Sequence, residues 1–330
     1  MSQKPPRTPG TAASAYMSTL LLTHSSFLAH DTGPGHPERP DRIRAIDKVL
    51  SHELFDSLVR EEAPLRDDVE EQILLAHPEG HLAGMRGLAE AALKTPRHID
   101  GDTVISAGTW EAALRSVGAG LAAVDAVMTG RMANAFCEVR PPGHHAEANR
   151  AMGFCLFSNA AIAGLYARQK HGAERIAVVD FDVHHGNGTQ NIFWSERDLF
   201  YGSTHEMPLF PGTGAVRETG VGNITNAPLR AGDGGERFRE AFESRILPAL
   251  HNFGPDILII SAGFDAHEND PLANLRLVEA DYLWATEKLA DLARRHSNGR
   301  IVSMLEGGYD LTSLARSVAV HVRALMDAGT

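Results

Sequence analysis

Ile176-Ala-Val-Val-Asp-Phe-Asp-Val-His-His-Gly-Asn-Gly188 decides the fold, because an unbroken apolar run passes directly into a cluster of ionisable groups. An apolar run of this length reads as a strand buried on both faces. The design recurs three times. Ala135-Phe-Cys-Glu-Val139 leads to Arg140-Pro-Pro-Gly-His-His145, Ile257-Leu-Ile-Ile260 to Ser261-Ala-Gly-Phe-Asp265, and Ile301-Val-Ser-Met-Leu305 to Glu306-Gly-Gly-Tyr309. Helical patterns lie between them. Trp110, Leu114, Val117, Leu121, Val124 and Met128 recur every three or four residues, which is one face of a long helix. Ile43, Ile46, Val49, Leu50 and Leu54 do the same after the helix-start signal Pro40-Asp41. Segments 159–170, 235–252, 279–296 and 312–326 also read as helices. Strands alternating with helices predict an α/β fold, a mostly parallel sheet flanked by helices. In such sheets the site lies at the carboxyl ends of the strands, where all four polar clusters fall.

The chain has 330 residues, 43% hydrophobic and 22% charged, so disorder, coiled coil and collagen are excluded as the main organisation. No repeat or Gly/Ser linker divides it, and one domain over 18–330 is expected. Residues 1–17, rich in Pro, Ser, Thr and Ala, read as a disordered tail. They lack the apolar core of a signal peptide, since Leu20-Leu21-Leu22 is too short. A net charge of −11 disfavours direct nucleic-acid binding. No run is long enough for a membrane span. Two cysteines, Cys137 and Cys155, are too few for a disulfide framework or a thiolate zinc site, and a reducing cytoplasm is expected. Seventeen histidines direct attention to metal or acid–base chemistry.

Asp182 and His184 stand two apart, so on extended backbone their side chains point the same way and can share a metal. Asp265, at the end of another strand, can supply a third ligand. Two Asp and one His suit zinc or another divalent first-row ion and leave a position for water. Hydrogen bonding to loop backbone is the bland alternative for an isolated Asp-x-His. His144 and His145 follow a stiff Pro-Pro-Gly turn, and imidazole titrates near neutral pH, so proton transfer is their expected task. Asp180 and Asn187 are candidates to orient them. Tyr309, carried by two glycines, can donate a hydrogen bond to a developing oxyanion. Phe154, beside Gly153, and Phe210 can line an apolar channel for a slender alkyl chain.

These residues resemble the zinc-dependent histone deacetylase and acetylpolyamine amidohydrolase superfamily, and within it the class II-like bacterial histone deacetylase-like amidohydrolases. The carrying motifs are His36-Pro-Glu-Arg-Pro-Asp41, Arg140-Pro-Pro-Gly-His-His145, Gly153-Phe-Cys155, Asp180-Phe-Asp-Val-His-His-Gly-Asn-Gly-Thr189, Phe210-Pro-Gly-Thr-Gly214, Ser261-Ala-Gly-Phe-Asp265 and Glu306-Gly-Gly-Tyr309. They run in family order over most of the chain. The resemblance implies the arginase/deacetylase fold with about eight parallel strands. It implies Asp182, His184 and Asp265 as ligands of one zinc, with iron(II) as the alternative. It implies His145 as general base and acid, His144 paired with Asp180, and Tyr309 as the hydroxyl donor. Phe154, Phe210, Gly153, Gly307, Leu272 and, as a weaker match, the rim aspartate Asp102 would contact substrate. A structural potassium would use Asp180, Asp182, His184, Ser203 and Thr204. Asn187 stands where class I members carry an aspartate, so His145 would lack a second carboxylate. Leu272 stands where polyamine-selective relatives can carry a glutamate, which favours acetyl-lysine in proteins or peptides over acetylated polyamines. A homo-oligomer is compatible with this resemblance.

Overall fold

The computed structural model describes residues 18–329, and the expected tail over 1–17 lies outside them. The described strands are β1 (Thr19–Thr23), β2 (Val59–Glu62), β3 (Arg97–His98), β4 (Val104–Ile105), β5 (Asn134–Cys137), β6 (Ile176–Asp180), β7 (Leu199–Glu206), β8 (Ile224–Leu229), β9 (Ile257–Ala262) and β10 (Ile301–Leu305). Eight of them form one sheet in the order β2-β1-β5-β10-β9-β6-β7-β8, and β3 pairs with β4 apart from it. Every pairing in the large sheet is parallel. The expected single α/β domain is therefore present.

The four strands read from apolar runs, β5, β10, β9 and β6, are consecutive neighbours at the centre of the sheet. Central strands are covered on both faces, which is why their sequences are continuously apolar. This adjacency brings the four polar clusters side by side at one edge.

The helices are α1 (Asp41–Leu50), α2 (Val69–Ile73), α3 (Glu79–Ala92), α4 (Thr109–Met128), α5 (Asn159–His171), α6 (Asn187–Phe193), α7 (Gly235–Ala241), α8 (Leu247–Phe253), α9 (Glu279–His296) and α10 (Leu311–Ala328). Two neighbours on β10 show the layering. The Ser303 hydroxyl meets His321 of α10 at 2.8 Å. Met304, pointing the other way, lies where α4 packs on α5 at Gly120 and Ala163. Among the described residues no helix is long and apolar enough to cross a membrane.

The expected helix over 235–252 is interrupted by a π-helical turn at Phe242–Ile246. Pro248 has no N–H to continue the regular ladder, which shifts the preceding carbonyls out of register. Asp41–Leu50 ends before Leu54, which lies in a short 3-10 turn and is exposed.

Candidate active site

Asp182 and His184 lie just beyond β6, not within it. The Asp182 Oδ1 atom accepts the backbone N–H of His184 at 2.9 Å, so a turn rather than a strand pleat makes the two side chains converge. Asp265 joins them from the end of β9, and one ligand atom from each of the three lies within 4.8 Å of the others. His184 Nδ1 is 3.0 Å from Asp265 Oδ2 and 3.3 Å from Asp182 Oδ1. The outer lone pairs of the carboxylates are fixed by backbone donors, Val183 N–H on Asp265 Oδ1 (2.8 Å) and Gly307 N–H on Asp182 Oδ2 (2.8 Å). Glycine is required twice here. A Cβ on Gly263 would stand 2.0 Å from Asp182 Oδ2, and one on Gly307 would stand 2.2 Å from Asp265 Oδ2. Gly307 thus packs against the acid pair.

The donor set fits a divalent cation. Burial, then the adjacent Asp182 carboxylate, push Asp265 up to about 7. Burial opposes a charge on His184, yet Asp182 and Asp265 raise it to about 10. Two buried carboxylates facing one imidazole at these distances concentrate negative charge that a cation would neutralise.

The tandem histidines occupy different settings. His144 Nδ1 is 3.0 Å from Asp180 Oδ2, which also accepts the Tyr201 hydroxyl at 3.0 Å. Burial works against its charge, but Asp182 and Asp180 hold His144 well above the usual histidine range. His145 Nδ1 is 2.8 Å from Asn187 Oδ1. The amide orientation of Asn187 is settled by its Nδ2, which donates to Glu147 Oε1 at 2.8 Å. Nδ1 of His145 must then carry its hydrogen, which leaves Nε2 with a free lone pair. Burial, followed by the neighbouring His144 and His184, keeps His145 well below the usual range and hence neutral. A neutral imidazole of defined tautomer is what a general base requires.

Tyr309 follows β10 on the Glu306-Gly-Gly-Tyr loop. Burial, then the Asp265 charge, raise its phenol well above the usual value, so it stays a donor. Arg42 of α1 supports this loop. It donates to the carbonyls of Gly308 (2.7 Å) and Glu306 (2.5 Å), and its guanidinium lies 5.0 Å from the Tyr309 ring centroid. Glu38 accepts from Arg42 (3.1 Å) and from Arg140, so one fully buried carboxylate ties α1 to the segment that leads to His144.

Gly153, Phe154, Phe210, Leu272 and Asp102 line a cavity of about 300 Å³ that also reaches His145, His184 and Tyr309. Phe210 is 44% exposed and marks the outer end, whereas His145 and Tyr309 are buried at the inner end. Phe154 adopts φ +69°, which is unusual for a bulky residue, and its N–H is held by the Thr103 hydroxyl at 3.1 Å. Asp102 sits on the rim, where its carbonyl meets His36 Nε2 at 2.8 Å. Ser203 is directly opposite Asp180 in the β6–β7 register. Adjacent strand residues face opposite ways, so beside Asp180 Ser203 can offer its hydroxyl and Thr204 only its carbonyl. The Thr204 hydroxyl itself is buried without a partner among the described residues.

The structure adds Glu38, Arg42, Glu147 and Tyr201 to the residues singled out by sequence. Glu38 stood in the quoted His36–Asp41 motif, with Arg42 directly after it, but nothing in the linear pattern shows that they meet Arg140 and Glu306.

The histone deacetylase domain, as a family, matches residues 36–325. The chain belongs to the histone deacetylase family. Histone deacetylase 14, chloroplastic, of Arabidopsis thaliana is 39% identical over 324 residues, covering 93% of this chain and 76% of that protein. The histone deacetylase-like amidohydrolase of Pseudomonas aeruginosa is 38% identical over 296 residues, covering 88% and 77%. The crystal structure of the HDA15 HD domain superposes with a TM-score of 0.88 at 34% identity, over 96% of this chain and 92% of that one. The resemblance inferred from motifs is thus correct at the level of family and of arginase/deacetylase fold. This histone deacetylase-family hydrolase carries its buried Asp/His/Asp group where a metal can bind.

Proposed function

We propose that this hydrolase is a metal-dependent deacetylase that removes acetyl groups from Nε-acetyl-lysine in proteins or peptides. One observation carries the reading. The phenylalanine-walled cavity ends at a neutral His145, the Tyr309 hydroxyl and the Asp182/His184/Asp265 group. Zinc is the proposed ion, with iron(II) the alternative, held by those three residues. Bound there, it would lower the pKa of a water and draw charge from the acyl oxygen.

The chain's own groups do the rest. Phe154 and Phe210 flank the lysine methylenes, whose burial contributes about 0.8 kcal/mol per CH₂. Asp102 at the rim accepts from the substrate backbone. Nε2 of His145 takes a proton from the attacking water, and Tyr309 donates to the developing oxyanion. A protonated histidine then returns a proton to the amine nitrogen as the C–N bond breaks, giving acetate and free amine. His144, charged between Asp180 and Asp182, supports the local field. Leu272 offers no anion to a second ammonium, which favours acetyl-lysine over acetylated polyamines, the second substrate class considered. A structural potassium at Asp180, Asp182, His184, Ser203 and Thr204 belongs to the same proposal. So does a cytoplasmic location, supported by the two free, buried cysteines.

The test is acetate release by zinc-loaded protein from an acetyl-lysine peptide, N-acetylputrescine and N-acetylspermidine. Peptide turnover about tenfold above polyamine turnover is expected, the scale of one hydrophobic-pocket discrimination. The reverse order would transfer the enzyme to the polyamine class, and turnover of none would overturn the substrate assignment.

A further inference from the structure

Asp270 lies in the loop after β9 and is 7% exposed. Its carboxylate is occupied by backbone donors from two separate places. Oδ2 accepts the N–H of Tyr309 at 2.7 Å and that of Asp310 at 3.3 Å, 39 and 40 residues away in sequence. Oδ1 accepts the N–H of Leu272 at 3.0 Å. Tyr309 carries the hydroxyl at the inner end of the cavity, and Leu272 forms its wall. The tyrosine loop is held on its other side by Arg42, through the carbonyls of Glu306 and Gly308. Arg42 therefore fixes carbonyls before the tyrosine, and Asp270 fixes the amide of the tyrosine itself.

We propose that Asp270 is a positioning residue: its buried carboxylate joins the backbone of Tyr309 to that of Leu272, so one group sets both the hydroxyl donor and the substrate-contacting wall. The inference rests on the deacetylase reading above. Its physical basis is that a carboxylate offers acceptors on both oxygens, so it can hold backbone N–H groups of two separate segments at once. An amide in its place keeps one acceptor and turns an NH₂ group toward a backbone N–H, and that donor–donor clash breaks one tether and displaces the side chain from the other. Catalytic groups need placement to a fraction of an ångström, and a loosened tether is paid for in turnover.

The experiment compares wild type, Asp270→Asn, Tyr309→Phe and the double variant. Each is loaded with zinc and assayed on the acyl amine that the wild type turns over. Asp270→Asn is expected to lower kcat by about tenfold to a hundredfold with KM changed by less than about threefold. Zinc content should be unchanged. In the Tyr309→Phe background the same substitution should lower kcat by less than about twofold, because the hydroxyl that Asp270 positions is already gone and only the Leu272 wall is left to respond. Unchanged kcat, or an equal loss in both backgrounds, would overturn the proposal. Amide exchange provides a readout independent of activity. Peptides containing Leu272 and Tyr309 should exchange faster together, and the peptide containing Asp182 and His184 should not. Protection unchanged at Tyr309 would refute the tether. If the wild type hydrolyses no acyl amine, the functional reading fails while the exchange measurement still decides the tether. Should Asp270→Asn fold poorly, Asp270→Glu keeps both acceptors one methylene farther out and should show the same pattern in milder form.

Discussion

Glu306 and Glu138 each sit one residue beyond a strand, β10 and β5, and those strands are neighbours in the sheet. Both side chains are fully buried. Glu306 Oε2 accepts the N–H groups of Gly143 (2.7 Å) and His144 (3.1 Å), and Oε1 accepts the Ser261 hydroxyl at 3.0 Å. Neither oxygen of Glu138 has a partner among the described residues. Burial raises both carboxyls. For Glu306 it is countered by His144 and the Gly143 amide, and the group reaches only about 7. For Glu138 it is reinforced by Asp47 and opposed only by Arg60, and the group stands well above its ordinary value. The same residue type at the same depth is thus a brace in one place and an unsatisfied acid in the other. The neighbouring His144 charge and the donors, not burial, make the difference. The braced acid fixes the segment that carries the tandem histidines.

Changes on the braced side should therefore be costly, and the change on the orphaned side should be a gain. The largest effect is expected from Asp265→Ala, which removes a proposed metal ligand. Bound zinc measured by mass spectrometry should fall to background and activity should vanish, whereas full occupancy would refute the ligand assignment. Next comes Tyr309→Phe, with kcat lower by on the order of 10²–10³ for loss of one oxyanion donor. Zinc content should hold, and near-normal turnover would remove the phenol from the reaction.

Glu306→Ala leaves the Gly143 and His144 N–H groups without their acceptor and should destabilise by roughly 1–3 kcal/mol in denaturant unfolding. An unaltered midpoint would erase the distinction between the two acids. The smallest effect is expected at Glu138→Gln, a gain on the order of 1 kcal/mol at neutral pH. The sign follows from linkage. The folded-state pKa of Glu138 is raised above its ordinary 4.5, so wild-type folding binds a proton and loses stability as pH rises from 4.5 toward the folded value. The advantage of the variant should be nil below about pH 4.5, grow as pH increases, and then level off. A gain independent of pH would show that Glu138 is not the titrating group.

Reading the four central strands from sequence succeeded because two-sided burial writes itself as a continuous apolar run. The outer strands left weaker traces. Val59-Arg-Glu-Glu62 forms β2 on the sheet edge, where only alternate residues are partly covered. Ile224–Leu229 forms the opposite edge and contains Pro228, a residue that edge strands tolerate. Leu199–Glu206 is fully buried, yet Ser203, Thr204, His205 and Glu206 are polar, so no hydrophobic pattern announces it. Likewise, Asp182, His184, His145 and Tyr309 were legible as candidates because chemistry restricts residue type and local spacing, and the fold brings them to one cavity and the group beneath it. Glu147 and Asp270 were not, since each acts through hydrogen bonds to residues about 40 positions away.

The linear sequence by itself determined the fold class and the family, and it named the residues of a candidate site, because periodicity and motif are local properties of the chain. Tertiary structure alone decided which nitrogen of His145 is free, which carboxylates are braced, and that Asp270 joins Tyr309 to Leu272. Those outcomes depend on where donors and acceptors meet after distant segments pack, and separation along the chain carries no record of such meetings.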